Sequence, residues 1–155
     1  MNAQPQLTAE TLNLNVPYFE LIGTGSRDWA DRSAVWTPVT RLLKRHGRLL
    51  VRNGKNKRGA DRYLSDWAAR FDDSLVLEVP YLPDWDAHGN YAGNLRNQDM
   101  VSAGAQLVMA WANPCRKNSP WCPPGEHPSH GTADCVERAR KAGIPVLFSP
   151  EGMSW

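Results

Sequence analysis

Phe19-Glu20-Leu21-Ile22-Gly23-Thr24-Gly25-Ser26-Arg27-Asp28-Trp29 is the stretch on which the fold turns. An apolar run at 19–22 has strand length and stops at a glycine. Polar residues and a second glycine follow, and then Trp36, Val39, Leu42 and Leu43 mark one face of a helix that ends near Gly47. This is a β-strand handing over to a helix through a Gly-rich turn. Comparable motifs stand at Gly54 to Arg62 (GKNKRGADR), at Gly93-Asn94-Leu95-Arg96-Asn97 and at His130-Gly131-Thr132-Ala133-Asp134.

Working outward, strands are expected at 49–51, 75–79, 106–110 and 145–148, and helices at 60–70, 95–103 and 131–142. In the second helix Leu64, Trp67, Ala68 and Phe71 follow the i, i+3, i+4, i+7 pattern. The order βαβαβαβαβ implies a mainly parallel sheet covered on both faces. The expectation is an α/β chain: a single Rossmann-like, three-layer domain with a five-stranded sheet ordered 3-2-1-4-5. Residues 1–16 read as an N-terminal arm and 17–155 as the domain. In such a sheet the four motif turns gather at the carboxyl ends of the strands, where ligands bind.

The chain has 155 residues, 41% of them hydrophobic and 22% charged, enough to bury a core without disulfides or metals. A formal charge of +2 gives no support to general nucleic-acid binding, which calls for a basic face. The polar start MNAQPQLTAETLNLN lacks the apolar core of a secretory signal, and no apolar run is long enough to span a membrane. Three cysteines, an odd number, argue for a reducing compartment, so the expected location is the cytoplasm.

The motifs point to an anionic small molecule. GTGSRDW is no dinucleotide fingerprint, because Asp28 stands at the third glycine position; a plain turn capped by Ser26 or Asp28 explains part of it. Arg27 in such a turn costs desolvation unless an anion or carboxylate meets it. GKNKRGADR lacks the Lys-Ser/Thr of a P-loop, since Ala60-Asp61 follows Gly59. Arg96-Asn97 is expected to open a helix, where a guanidinium conflicts with the positive helix end unless an anion is shared; otherwise Arg96 pairs with Asp84, Asp86 or Asp99. Thr132 is placed to cap a helix or to bond a phosphate oxygen beside Gly131.

Cys115-x6-Cys122-x4-His127-x2-His130 has zinc-type ligands, but the spacing matches no standard finger. Loop cysteines without a metal are the favoured reading, and residues 112–130 are expected to be mobile. Cys135 reads as buried and inert. The tryptophans read mainly as core, with Trp29 and Trp85 in motif loops where they can stack on a base.

Together TGSRDW, the GADR helix start, PDWDAHGNYAGNLRNQDM, and HGTADC followed by AGIPV resemble the YspA-like branch of the SLOG superfamily, of actinobacterial or actinophage type. The resemblance spans residues 18–149. It implies a Rossmann-like domain that binds nucleotides or nucleotide-derived ligands. The LOG phosphoribohydrolases of that superfamily carry PGGxGTxxE and an upstream Arg with a following Met. Gly131-Thr132 and Arg96 with Met100 match those elements, whereas Pro128-Ser129 replace the glycine pair and Cys135 stands at the catalytic Glu. A cysteine cannot stabilise a ribosyl cation or activate water as a carboxylate does.

The sequence therefore leads to a binder, a sensor or a sequestering protein, of a nucleotide or nucleotide-derived molecule, without a cofactor and without an assigned catalytic or metal-binding residue. Its expected ligand-binding residues are Gly25, Ser26, Arg27, Gly54, Gly59, Asp61, Arg96, Asn97, Gly131 and Thr132. One alternative is an N-glycosidase or phosphohydrolase with Asp61, Asp84, Asp86 or Asp134 in place of the Glu. Another is single-strand nucleic-acid binding, as in the DprA branch, against which the charge counts. No membrane partner is expected; self-association into a homo-oligomer is allowed.

Overall fold

The computed structural model describes residues 15–149. All but the last two residues of the expected N-terminal arm, and residues 150–155, lie outside that range. The elements are β1 (Phe19–Gly25), α1 (Arg32–His46), β2 (Leu49–Asn53), α2 (Gly59–Ala68), β3 (Val76–Pro80), the short α3 (Trp85–His88), a 3-10 turn (Gly89–Tyr91), α4 (Ala92–Ala103), β4 (Leu107–Trp111), α5 (His130–Lys141) and β5 (Val146–Ser149). All five strands are parallel, in the order β3-β2-β1-β4-β5. The chain is thus the α/β Rossmann-like domain that the sequence implies.

Alternation along β1 divides the interior. Leu21 faces a core of Val35, Val39 and Leu43 from α1 with Leu64 and Trp67 from α2. Ile22 faces Met100 and Val101 of α4 with Cys135 and Ala139 of α5. Each fully buried side chain of this size contributes about 1.5–3 kcal/mol. The helices change face between β1 and β4, whose ends pair Gly25 with Trp111, and this is the switch point of the sheet.

α1 starts where the Asp31 carboxylate accepts from the Ala34 N–H at 3.1 Å. It ends at Gly47, whose N–H donates to the Leu43 carbonyl at 2.8 Å. Pro38 lies inside it and has no N–H for the carbonyl of Ala34 four residues earlier. The Trp111 indole N–H, arriving from β4, donates to that carbonyl at 2.8 Å. A proline that would weaken an isolated helix is accommodated by a donor from the sheet.

Most elements differ from the expectation by a residue or two at their ends, and two departures bear on the site. β1 runs through Gly25 instead of stopping at Gly23. α4 begins at Ala92, so Arg96 and Asn97 stand in its second turn and do not open it. The cause is local: Asp84 caps α3 by accepting from Ala87 N–H at 3.0 Å, and the 3-10 turn leads directly into α4. The stretch from Tyr81 to Asn94, rich in Pro, Asp and Gly and expected as a loop, is helical or 3-10 over 85–94. Among the described residues no helix is long and apolar enough to cross a membrane.

Candidate functional site

The four motif turns meet at the carboxyl edge of the sheet around a cleft of about 710 Å³. Gly25, Ser26, Arg27, Gly54, Asp61, Arg96, Asn97, Gly131 and Thr132 line it; Gly59 does not. Gly59 is needed for packing. Its φ of 72° is unfavourable for other residues, and a Cβ there would overlap the backbone of Ser26 and Arg27. Arg27, Arg58, Arg96, Arg116 and Lys117 line the cleft against Asp28 and Asp61, five cations to two carboxylates. The cleft therefore carries +3, while the whole chain has a formal charge of only +2.

Arg96 is the half-buried cation of the group. Its Nε donates to Asn97 Oδ1 at 3.0 Å, and its Nη1 donates to the carbonyls of Gly54 at 3.0 Å and Tyr81 at 3.3 Å. Its Nη2 has no hydrogen-bond partner among the described residues. Burial lowers the Arg96 pKa, and the nearby Asp61 acts in the opposite direction. Gly54 makes room for this arrangement, since a Cβ there would overlap the guanidinium and come within 3.0 Å of Asp61 Oδ2. No acidic partner of the kind expected at Asp84, Asp86 or Asp99 pairs with Arg96 among the described residues.

Asp61, in the first turn of α2, is only 8% exposed. Its Oδ2 accepts from Asn56 N–H at 3.2 Å. Desolvation pushes its pKa up to about 6, against the lowering effects of that hydrogen bond and of Arg96 and Arg27. A carboxyl group poised near neutrality in a cleft can both accept and donate.

Ser26 and Asn97 line the cleft, yet their polar atoms are engaged within the protein. Asn97 Nδ2 donates to Gly131 O at 3.2 Å and Asp134 Oδ2 at 3.0 Å, which ties α4 to the first turn of α5. Ser26 Oγ accepts from Asn113 N–H at 2.8 Å and lies 2.7 Å from Ser129 Oγ. Ser129 Oγ donates in turn to Thr132 Oγ1 at 3.0 Å. That direction makes Ser26 the donor to Ser129, and the hydroxyl hydrogen of Thr132 ends the chain. The N–H groups of His130, Gly131 and Thr132 have no acceptor among the described residues, because the N-cap Ser129 makes no side-chain cap bond. Nothing stands within 4 Å of a Cβ built on Gly131, so the helix end is open to the cleft.

Trp85 and Trp121 line the cleft and are 48% and 82% exposed. Trp29 is core instead: it is 9% exposed, and its indole N–H donates to Asp31 O at 2.8 Å. Sequence reasoning passed over Trp121, whose Pro-rich setting gave no periodicity to place it; Asn94, part of a motif but not among the expected ligand-binding residues, also lines the cleft. Cys135 is fully buried among apolar side chains, and desolvation pushes its thiol up to about 12. It is neither nucleophile nor base at neutral pH. Asp84, Asp86 and Asp134 are not among the residues lining the cleft. Cys115, Cys122, His127 and His130 converge at the cleft's rim, with ligand atoms within 4.8 Å of one another.

Fold and cleft together define a parallel α/β protein with a cationic pocket at its topological switch point. Residues 20–88 match the family described as YspA, cpYpsA-related SLOG family. Over 128 residues the chain is 39% identical to the Gene 61 protein of Mycobacterium phage D29, covering 80% of this chain and 90% of that protein. The chain belongs to the YspA, cpYpsA-related SLOG family, and the phage relative fits the actinobacterial or actinophage type expected. No solved structure matches it significantly.

Proposed function

We propose that the cleft binds a nucleotide or nucleotide-derived molecule, and that the protein acts as a sensor or sequestering protein for it. The observation that carries this reading is one juxtaposition. The unpartnered Nη2 of Arg96 and the open N-terminus of α5 are held together through Asn97, in a cleft that carries +3. Free N–H groups at a helix start and a guanidinium are complementary to a phosphate. Trp85 or Trp121 supplies a face for a base, and Asp61 an acceptor for a ribose hydroxyl.

The test is calorimetric titration of nucleoside monophosphates and the matching nucleosides into wild type and Arg96→Ala. Loss of the guanidinium should weaken the phosphorylated ligand by about 1.5–3 kcal/mol and the nucleoside far less. Equal affinities of both variants for both ligands would place the phosphate elsewhere. Because Arg96 also holds two carbonyls, a thermal melt of the variant must accompany the titration.

A second reading, hydrolysis of the bound nucleotide, is favoured by Asp61 alone: it is the buried carboxyl group of the cleft, and its pKa of about 6 suits general acid–base work. Incubation with nucleotides followed by mass spectrometry separates the two. Intact ligand retained supports the binder; turnover that disappears in Asp61→Asn supports the enzyme.

A further inference from the structure

The geometry points to a structural zinc site, Cys115–Cys122–His127–His130, that fastens the 112–130 loop along the rim of the cleft. This does not depend on what the cleft holds.

The three distances that meet at His130 are those of a tetrahedral site, and all four ligand atoms lie within 4.8 Å of one another. His130 Nε2 lies 3.5 Å from Cys115 Sγ, 3.5 Å from Cys122 Sγ and 3.3 Å from His127 Nε2. Zinc held tetrahedrally at about 2.3 Å from sulfur and about 2.0–2.1 Å from nitrogen sets sulfur–nitrogen spacings of about 3.6 Å and nitrogen–nitrogen spacings of about 3.3 Å. Hydrogen bonding does not account for this convergence, because a single hydrogen on His130 Nε2 serves one neighbour and three surround it. A cation that takes a lone pair from each atom does account for it. Two thiolates and two neutral imidazoles also balance the charge of a divalent ion. Sulfur with imidazole in tetrahedral array suits zinc over hard cations.

The surroundings support the ligands. His127 Nδ1 lies 2.9 Å from the Gly125 carbonyl; a proton on Nδ1 makes that bond and leaves the Nε2 lone pair facing the cluster. Lys117 N–H donates to Cys115 Sγ at 3.3 Å, and Ser119 Oγ lies 3.3 Å from Cys122 Sγ. The frame is fixed by the fold. Pro114 and Pro128 form an antiparallel bridge, Cys115 N–H donates to His127 O at 2.7 Å, and His130 is the first residue of α5. Three ligands thus stand at the base of the loop, and Cys122 arrives from its far side. Closing the set would fasten Arg116, Lys117 and Trp121 beside the cleft they line. Four protein ligands leave no open position for water or substrate, so the role is structural.

The test is elemental analysis of the full chain purified without a metal-affinity tag under reducing conditions, followed by replacement of the metal with cobalt. A single zinc per chain is expected, surviving dialysis, lost in Cys122→Ser and kept in Cys135→Ala. The cobalt form should show the near-ultraviolet thiolate charge-transfer band and the intense visible bands of a tetrahedral site. Should Cys122→Ser fail to fold, the cobalt spectrum of the unaltered chain decides. A chain that holds no zinc and takes up neither ion, a Cys115–Cys122 disulfide in its place, or zinc retained in a folded Cys122→Ser variant would each overturn the assignment.

Discussion

Asp61 shows what one residue contributes to both stability and the site. Its folded pKa of about 6 stands above the ordinary value of 3.8, so protons bind the folded state more tightly than the unfolded one. That stabilisation is full below about pH 4 and is lost as pH rises through about 6. The native protein should therefore lose about 3 kcal/mol across that window on account of this group. Asp61→Asn should remove that loss: denaturant melts at pH 7 should show the variant more stable by up to this amount, and the two should converge near pH 4. Equal stabilities at both pH values would mean that Asp61 is better solvated than its burial indicates. The sequence made Asp61 and Arg96 legible because charge beside glycine in a strand-to-helix turn asks for a counter-charge. It did not reveal that the polar atoms of Ser26 and Asn97 are taken up by the protein, since their partners Asn113 and Asp134 are far away in the chain.

Among the elements, α1 packs on the sheet and also takes from it the donor that its proline lacks. Trp111→Phe keeps most of the packing but leaves the Ala34 carbonyl without a donor, at a cost of about 1–3 kcal/mol. Pro38→Ala returns an N–H to the helix, so the double variant should recover at least about 1 kcal/mol of that loss in a double-mutant cycle. Strict additivity of the two changes in urea melts would show that the restored N–H does not stand in for the indole at that carbonyl. The strands and the α1, α2 and α5 helices were legible from apolar period and glycine punctuation, with ends off by a few residues. The first turn of α4 was not, because Gly93 and Asn94 are poor helix formers, and tertiary contacts with α3 and α5 decide the matter.

At the scale of the whole molecule, the strand order brings turns separated by over a hundred residues to one edge, and the cleft gathers positive charge in a nearly balanced chain. Binding of a phosphorylated small molecule should weaken only several-fold between 50 and 500 mM salt, since a few partly buried charges are involved. Single-stranded DNA, if it bound, would weaken by orders of magnitude. Parallel titrations distinguish the two, and a steep dependence with DNA at micromolar affinity would revive the nucleic-acid reading. The topology was readable from the alternation of elements. The two cysteines and two histidines were legible as ligand types but not as a gathered set, since spacing along a chain says little about how a loop closes on itself.

The one-way run of hydroxyls from Ser26 through Ser129 to Thr132 carries a consequence for observation. Such chains strengthen along their length when the open end is occupied. An acceptor placed against Thr132 from the cleft should polarise each link back to the Asn113 amide, the first donor of the run. Occupancy of the pocket would then register as slower deuterium exchange at that single backbone position, a native reporter that requires neither a label nor knowledge of which molecule has arrived.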